Sequence, residues 1–308
     1  MGSQVIEPAG RSTVALEPIG LIGLGRMGMP MAQHLRDAGC QVLAYRRRDT
    51  PNARQWLGEG GAVADDFASL SGCRSVILSL PTTDDVRGVA ARLLAVLRPG
   101  TLVLDTSTIH PSGAREFAAL AQQHELAWLD APVSGGPAGA QAGTLAVMVG
   151  GSRSDFDRAR PLLNVMGRTV AYFGGSGSGL VCKLINNTLL ALSALATCEA
   201  LALVAKAGLD RPTALQVISA GSGYNRFMDT RGKVLVQRGA FEPAAFTVNM
   251  LLKDLRVASD ACSEIGFTPS VLHTALVAFE RTVAIGLGEE DFSSVLRVVE
   301  ADAGVRVA

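Results

Sequence analysis

The run Gly23-Leu24-Gly25-Arg26-Met27-Gly28 constrains this chain more than any other. It lies between an apolar segment that reads as a short strand, residues 19–23, and a segment of helical spacing, residues 29–38, stopped by Gly39. At such a junction each glycine answers a separate need. The first permits the tight turn, the second lets backbone approach a bound group, and the third lets the helix pack closely on the strand. The helix N-terminus then offers N–H groups and the positive end of its dipole to an anion. Glycine turns are common, and it is the strand before and the helix after that make this one a dinucleotide cradle. Gly23, Leu24, Gly25, Arg26, Met27 and Gly28 are the expected cofactor-binding residues, although a methionine in such a turn more often simply packs.

The segments that follow repeat the pattern. Strands are expected at residues 41–45, 75–80, 101–105, 127–130 and 145–150, and helices at 52–58, 83–97 and 112–124, with Gly60-Gly61, Pro81 and Pro99-Gly100 as punctuation. Repeated β-α-β units of this length imply a mostly parallel sheet covered on both faces. No strand pattern is visible after about Val170, and beyond Gly174-Gly175-Ser176-Gly177-Ser178-Gly179 the chain reads as helices at 180–207, 212–219, 246–265 and 270–286. The expected class is α/β: a Rossmann-type, doubly wound N-terminal domain (18–178), a glycine-rich hinge, then an all-helical C-terminal domain (179–308) for substrate and oligomerisation, beginning with one long helix. Residues 1–17 read as a flexible polar arm, without the apolar core of a signal peptide.

The end of the second strand bears on the choice of cofactor. An NAD site usually places Asp or Glu there to accept from the ribose hydroxyls. This chain has Tyr45-Arg46-Arg47-Arg48-Asp49. Guanidinium groups grip a 2′-phosphate in a bidentate way and stack on adenine. Arg46 and Arg47 therefore favour NADP over NAD, with a solvated basic loop and an inward-turned Asp49 as the alternatives.

Bulk composition excludes several classes. The 28 basic and 28 acidic residues cancel, which leaves no electrostatic footprint for nucleic acid. Five scattered cysteines without a C-x-x-C fit a reducing, cytoplasmic setting and argue against a disulfide scaffold. Four histidines without metal-ligand spacing give no support for a metal site. Residues 188–204 are almost wholly apolar but short for a membrane span, and they include Glu199, so a helix buried at a domain or subunit boundary is expected instead of a membrane partner.

Four further segments act together: Asp105-Thr106-Ser107-Thr108, Asp130-Ala131-Pro132-Val133-Ser134-Gly135-Gly136, Lys183-Leu184-Ile185-Asn186-Asn187 and Lys253-Asp254-Leu255. With the glycine turn they make the chain resemble the β-hydroxyacid dehydrogenases, which include 3-hydroxyisobutyrate dehydrogenases and tartronate semialdehyde reductases, from about residue 18 to 299. The resemblance implies a hydride transfer between NADP(H) or NAD(H) and a small 3-hydroxy acid or semialdehyde. It implies that Ser134, Gly135 and Gly136 hold the substrate carboxylate, in keeping with the anion nests that successive N–H groups form. A plain tight turn is the alternative for those residues. Lys183 matches the family's catalytic lysine, and Asn187, one turn on, would orient the substrate hydroxyl. Lysine on a helix is more often a snorkelling surface residue, but the apolar neighbours Cys182, Leu184 and Ile185 favour partial burial and a lowered pKa.

By the same resemblance Ser107 lies beside the substrate or nicotinamide, Thr108 and Lys253 lie near the cofactor, and Leu80, Pro81 and Thr82 run beside it as backbone. In isolation Ser107 and Thr108 could equally cap the helix starting near Ser112, and Lys253-Asp254 would be an ordinary exposed charge pair. Ser222-Gly223-Tyr224-Asn225-Arg226-Phe227, a polar loop between helices, is where substrate identity is expected in part, with Arg226 either holding a second anion or solvating the loop. Two other readings remain: an imine reductase, whose usual residue at the lysine position differs, and a non-catalytic dinucleotide-binding protein, for which loss of the Lys–Asn pair or of the carboxylate turn is expected. So much apolar surface on the long helix predicts a homodimer or homotetramer.

Overall fold

A computed structural model describes residues 18–308. The expected arm at residues 1–17 lies outside the described residues. The chain divides into two compact units, the first ending at Lys183 and the second running from Leu184 to Ala308. The division falls inside a helix, five residues beyond the boundary expected at 178.

The first unit is built on one sheet. In chain order its strands are β1 (Pro18–Ile22), β2 (Gln41–Tyr45), β3 (Ala62–Ala64), β4 (Ser75–Leu78), β5 (Leu102–Asp105), β6 (Ala127–Asp130), β7 (Val133–Ser134), β8 (Leu145–Gly150) and β9 (Gly167–Gly174). They stand in the order β3-β2-β1-β4-β5-β6-β8-β7, with β9 also paired to β8. Strands β1 to β6 run parallel, whereas β8 pairs antiparallel with β6 and β7. The order 3-2-1-4-5-6 is that of the doubly wound nucleotide fold. Alternation along the strands fills two cores. Ile77, Leu102 and Leu104 face one, with residues of α1 (Gly28–Asp37) and α6 (Arg153–Met166). Val76, Leu78 and Val103 face the other, with α3 (Thr83–Leu94) and α4 (Pro111–Gln123). Period-two alternation on strands buried from both sides is what covers both faces of the sheet.

Helix starts follow local chemistry. Thr50 caps α2 (Pro51–Gly58), Thr82 caps α3 and Ser152 caps α6, each accepting a first-turn N–H on its hydroxyl. The cap of α4 is neither Ser107 nor Thr108 but His110, whose Nδ1 accepts the Ser112 N–H, followed by Pro111 at the first helical position. Several elements depart from the sequence reading. β3, β7 and α5 (Gly136–Gln141) are too short to show a period. α6 carries an internal Pro161, and β9 continues past Val170 to Gly174.

The second unit is helical. α7 (Ser178–Lys206) runs into it, followed by α8 (Arg211–Ala220), a π-helical turn at Met228–Gly232, α9 (Lys233–Arg238), α10 (Val248–Glu264), α11 (Ser270–Ala284) and α12 (Leu296–Ala303). Its own core joins Leu195, Cys198, Leu251, Leu255, Phe279 and Leu296. Among the described residues its only β pairing is a single bridge between Thr247 and Asp291.

Candidate active site

The glycine turn leaves β1 at Gly23, whose φ of 109° only glycine adopts without strain. A Cβ on Gly23 would strike the Ser79 carbonyl, and one on Gly28 would strike the Gly23 carbonyl. A Cβ on Gly25 would meet nothing within 4 Å. The protein itself closes the first and third glycines, and the second faces open space. That is the arrangement a pyrophosphate needs in order to approach backbone above the start of α1. The Asn52 amide donates to the Leu24 carbonyl at 2.9 Å and holds the turn, a contact the sequence reading did not anticipate. Arg26 is exposed, and Met27 packs partly against the core beneath.

At the end of β2 the arginines take different roles. Arg46 gives two N–H groups to Asp65 Oδ1, at 3.0 and 2.7 Å. Arg47 and Arg48 are exposed. Asp49 pairs with Arg54 at 3.4 Å. The ends of β4 and β5 are tied together. Ser107 is buried, and its hydroxyl accepts the Leu80 N–H at 2.9 Å while its own N–H donates to Asp105 Oδ1 at 3.0 Å. Leu80, Pro81 and Thr108 are only partly buried or exposed beside this link. Burial pushes the Asp105 carboxyl up to about 7. The Ser107 hydrogen bonds oppose the rise and the neighbouring charge of Asp130 adds to it.

The Ser134 turn is open. Gly135 and Gly136 have φ of 133° and 62°, both are exposed, and a Cβ on Gly136 would meet nothing within 4 Å. Ser134 is half-buried in β7. On α7, Lys183 is 8% exposed and Asn187, four residues on, is 2% exposed. Lys183 is therefore not the snorkelling surface lysine that a helical position allows. The glycine run at 174–179 is not a free hinge either, because the Gly177 N–H donates to Asp130 Oδ1 at 2.7 Å.

In the helical unit, Asn187 Nδ2 donates to Asp254 Oδ2 at 2.6 Å, and Asn187 Oδ1 accepts from Asn186 Nδ2 at 3.0 Å. Lys253 Nζ lies 2.8 Å from Asp254 Oδ1. Lys253-Asp254 is thus no exposed charge pair, since Asp254 is 3% exposed. Sequence reasoning passed over Asp254 as a partner of Asn187. The available signal was its place in the apolar stripe of α10, between Leu251 and Ala258, where a carboxylate must find partners. In the loop at 222–227, Asn225 Nδ2 donates to Thr197 Oγ1 at 3.0 Å and Phe227 is buried, while Arg226 is exposed.

Comparison with known proteins covers nearly the whole chain. Residues 18–174 match the NAD binding domain of 6-phosphogluconate dehydrogenase, and residues 177–299 match the NAD-binding domain family of NADP-dependent 3-hydroxyisobutyrate dehydrogenase. The chain is 34% identical over 294 residues to 2-(hydroxymethyl)glutarate dehydrogenase of Eubacterium barkeri, covering 94% of this chain and 97% of that one. It is 36% identical over 302 residues to the NAD-dependent L-serine dehydrogenase of Pseudomonas aeruginosa, covering 94% and 100%. The solved structure of Mycobacterium tuberculosis 3-hydroxyisobutyrate dehydrogenase with L-serine superposes with a TM-score of 0.83 at 34% identity, over 92% and 99% of the two chains. An imine reductase of Streptomyces aurantiacus, at 23% identity and a TM-score of 0.61, shares the fold alone. With its glycine cradle, its Ser134 turn and its buried lysine on α7, the chain belongs to the β-hydroxyacid dehydrogenases, the NAD(P)-dependent oxidoreductases of hydroxy acids.

Proposed function

We propose that the protein interconverts a small 3-hydroxy acid and its semialdehyde, with NADP(H) preferred over NAD(H) and Lys183 as general acid and base. The observation that carries this reading is a lysine and an asparagine one turn apart on α7, both buried, on a chain whose relatives oxidise hydroxy acids. Gly25 and the N-terminus of α1 hold the dinucleotide pyrophosphate, and Arg47, with Arg46, meets the 2′-phosphate. The nicotinamide supplies one function, accepting or giving a hydride. The chain supplies the rest. Ser134, Gly135 and Gly136 bind the substrate carboxylate through a hydroxyl and main-chain N–H groups, and two glycines leave no side chain in the way. In oxidation the neutral Lys183 amine takes the proton of the substrate hydroxyl as hydride leaves the same carbon. In reduction the ammonium gives that proton back and stabilises the charge growing on the carbonyl oxygen. Asn187 orients the hydroxyl, and its own amide is held by Asp254.

Lys183→Ala is expected to lower kcat by at least ~100-fold, within the usual range for losing a positioned proton donor, with little change in dinucleotide Kd. In the wild type, alcohol oxidation is expected to rise with pH through an ionisation between neutral and alkaline pH. Unchanged turnover in the variant, or a flat profile in the wild type, refutes the assignment. A panel of 3-hydroxy acids and semialdehydes, each with NADP and NAD, identifies the substrate.

The same reading includes a homodimer or homotetramer in a reducing compartment such as the cytoplasm. Only 44% of the most apolar stretch of α7 is buried within the chain, and Val181, Ile185, Leu189 and Leu203 are exposed along it. A second copy of the chain is the cover expected for such a face. All five cysteines are free.

A further inference from the structure

One buried carboxylate bonds the start of the helix that carries Lys183 and begins the segment that leads to the carboxylate turn. Asp130 ends β6, four residues before Ser134, and is 1% exposed. Its Oδ1 accepts the Gly177 N–H at 2.7 Å and its Oδ2 accepts the Leu180 N–H at 3.1 Å. Gly177 immediately precedes α7, and Leu180 is the third residue of α7. First-turn N–H groups have no partner within their own helix, and a carboxylate among them also meets the positive end of the dipole. Two glycines pack closely against this carboxylate. A Cβ on Gly150 would stand 2.6 and 2.7 Å from its two oxygens. A Cβ on Gly179 would strike the Met148 carbonyl of β8 and stand 3.0 Å from Asp130 Oδ2. The first turn of α7 therefore rests on β8 backbone to backbone, with the Asp130 carboxylate filling the remaining space. Lys183 is three residues past Leu180, about 4.5 Å of helix rise. A shift in the first turn therefore moves the stretch of backbone from which the Lys183 side chain projects.

We propose that Asp130 is a positioning residue for the proton transfer: by fixing the start of α7 it sets where Lys183 stands relative to the Ser134–Gly136 turn. The inference rests on the assignment of proton transfer to Lys183. Asparagine at this position keeps the shape but has one acceptor oxygen and turns an N–H2 toward an N–H donor.

Asp130→Asn is expected to lower kcat about 10- to 100-fold, the scale that misplacement by ~1 Å produces. Dinucleotide Kd is expected to stay within about twofold, and the ionisation seen in alcohol oxidation to shift or broaden. A purely structural role would lower Tm and leave kcat per folded molecule and the pH profile unchanged, and that result overturns the proposal. Gly150→Ala, which displaces the carboxylate without altering it, is expected to show the same split between kcat and Kd in milder form. If neither variant yields folded protein, the carboxylate serves folding and the positioning role is rejected. Lys183→Ala measured alongside separates the two claims. Full turnover there sinks the lysine assignment, whereas an inactive Lys183→Ala beside an unaffected Asp130→Asn sinks only the present inference.

Discussion

Asp105 has a chemistry that its sequence neighbours do not announce. It is the register partner of Asp130 across β5 and β6, and it is 1% exposed. Its Oδ2 has no hydrogen-bond partner among the described residues. With a carboxyl pushed up to about 7, the folded chain keeps a proton there that the unfolded chain releases near pH ~4. Between those values the folded state binds more protons, so this residue makes stability fall as pH rises, by up to ~1.4 kcal/mol per unit. The contribution levels off above about 7. Asp105→Asn is expected to flatten that part of the Tm profile between pH 5 and 8. Parallel profiles for variant and wild type would show that Asp105 does not titrate in this window.

Arg46 belongs to the same scale. Its pair with Asp65 is exposed, and such pairs contribute at most ~1 kcal/mol, so a dianionic phosphate can displace it. Arg47→Ala is expected to raise KM for NADP about tenfold, the scale of one charge-assisted hydrogen bond, with KM for NAD nearly unchanged. Asp65→Asn is expected to lower KM for NADP a few-fold. Equal effects on both dinucleotides would remove Arg47 from the 2′-phosphate site. The arginines were legible in the sequence, whereas the partner of Arg46 was not, because Asp65 reaches it only through the pairing of β2 with β3.

At the scale of elements, legibility followed length and period. The strands at 41–45, 127–130 and 145–150 have the bounds their apolar runs announce. Most of the expected helices stand within a few residues of their expected ends, because caps and glycines mark them locally. The strand at 75–80 ends two residues early, at Leu78, where the chain turns to give the Leu80 N–H to Ser107. The missed elements had no such marks. β7 is two residues long and exists because β8 supplies its hydrogen bonds. α6 runs through Pro161 and is held by Phe156, Ala159 and Leu163 in the sheet's core, a case of tertiary packing overriding propensity. The capping of α7 by Asp130 joins residues 50 apart in sequence, beyond the reach of any local pattern.

At the scale of the whole molecule, two units with separate cores were legible from the change of period near residue 174. The assembly of copies is tested on α7. Leu189→Glu with Leu203→Glu, away from Lys183, is expected to lower the oligomeric mass measured by light scattering. An unchanged mass moves the interface elsewhere, and a monomeric wild type removes it. By itself the sequence determined the strand, glycine turn and helix at the start of the sheet, the alternation of strands and helices, and the family, because each rests on residue types at fixed short spacings that obey local sterics and period. Only the tertiary structure decided that Lys183 and Asn187 are buried, that Asp254 holds Asn187, and that Asp130 ties β6 to the start of α7. Burial, and the partners a buried charge must find, depend on which distant segments the fold brings together.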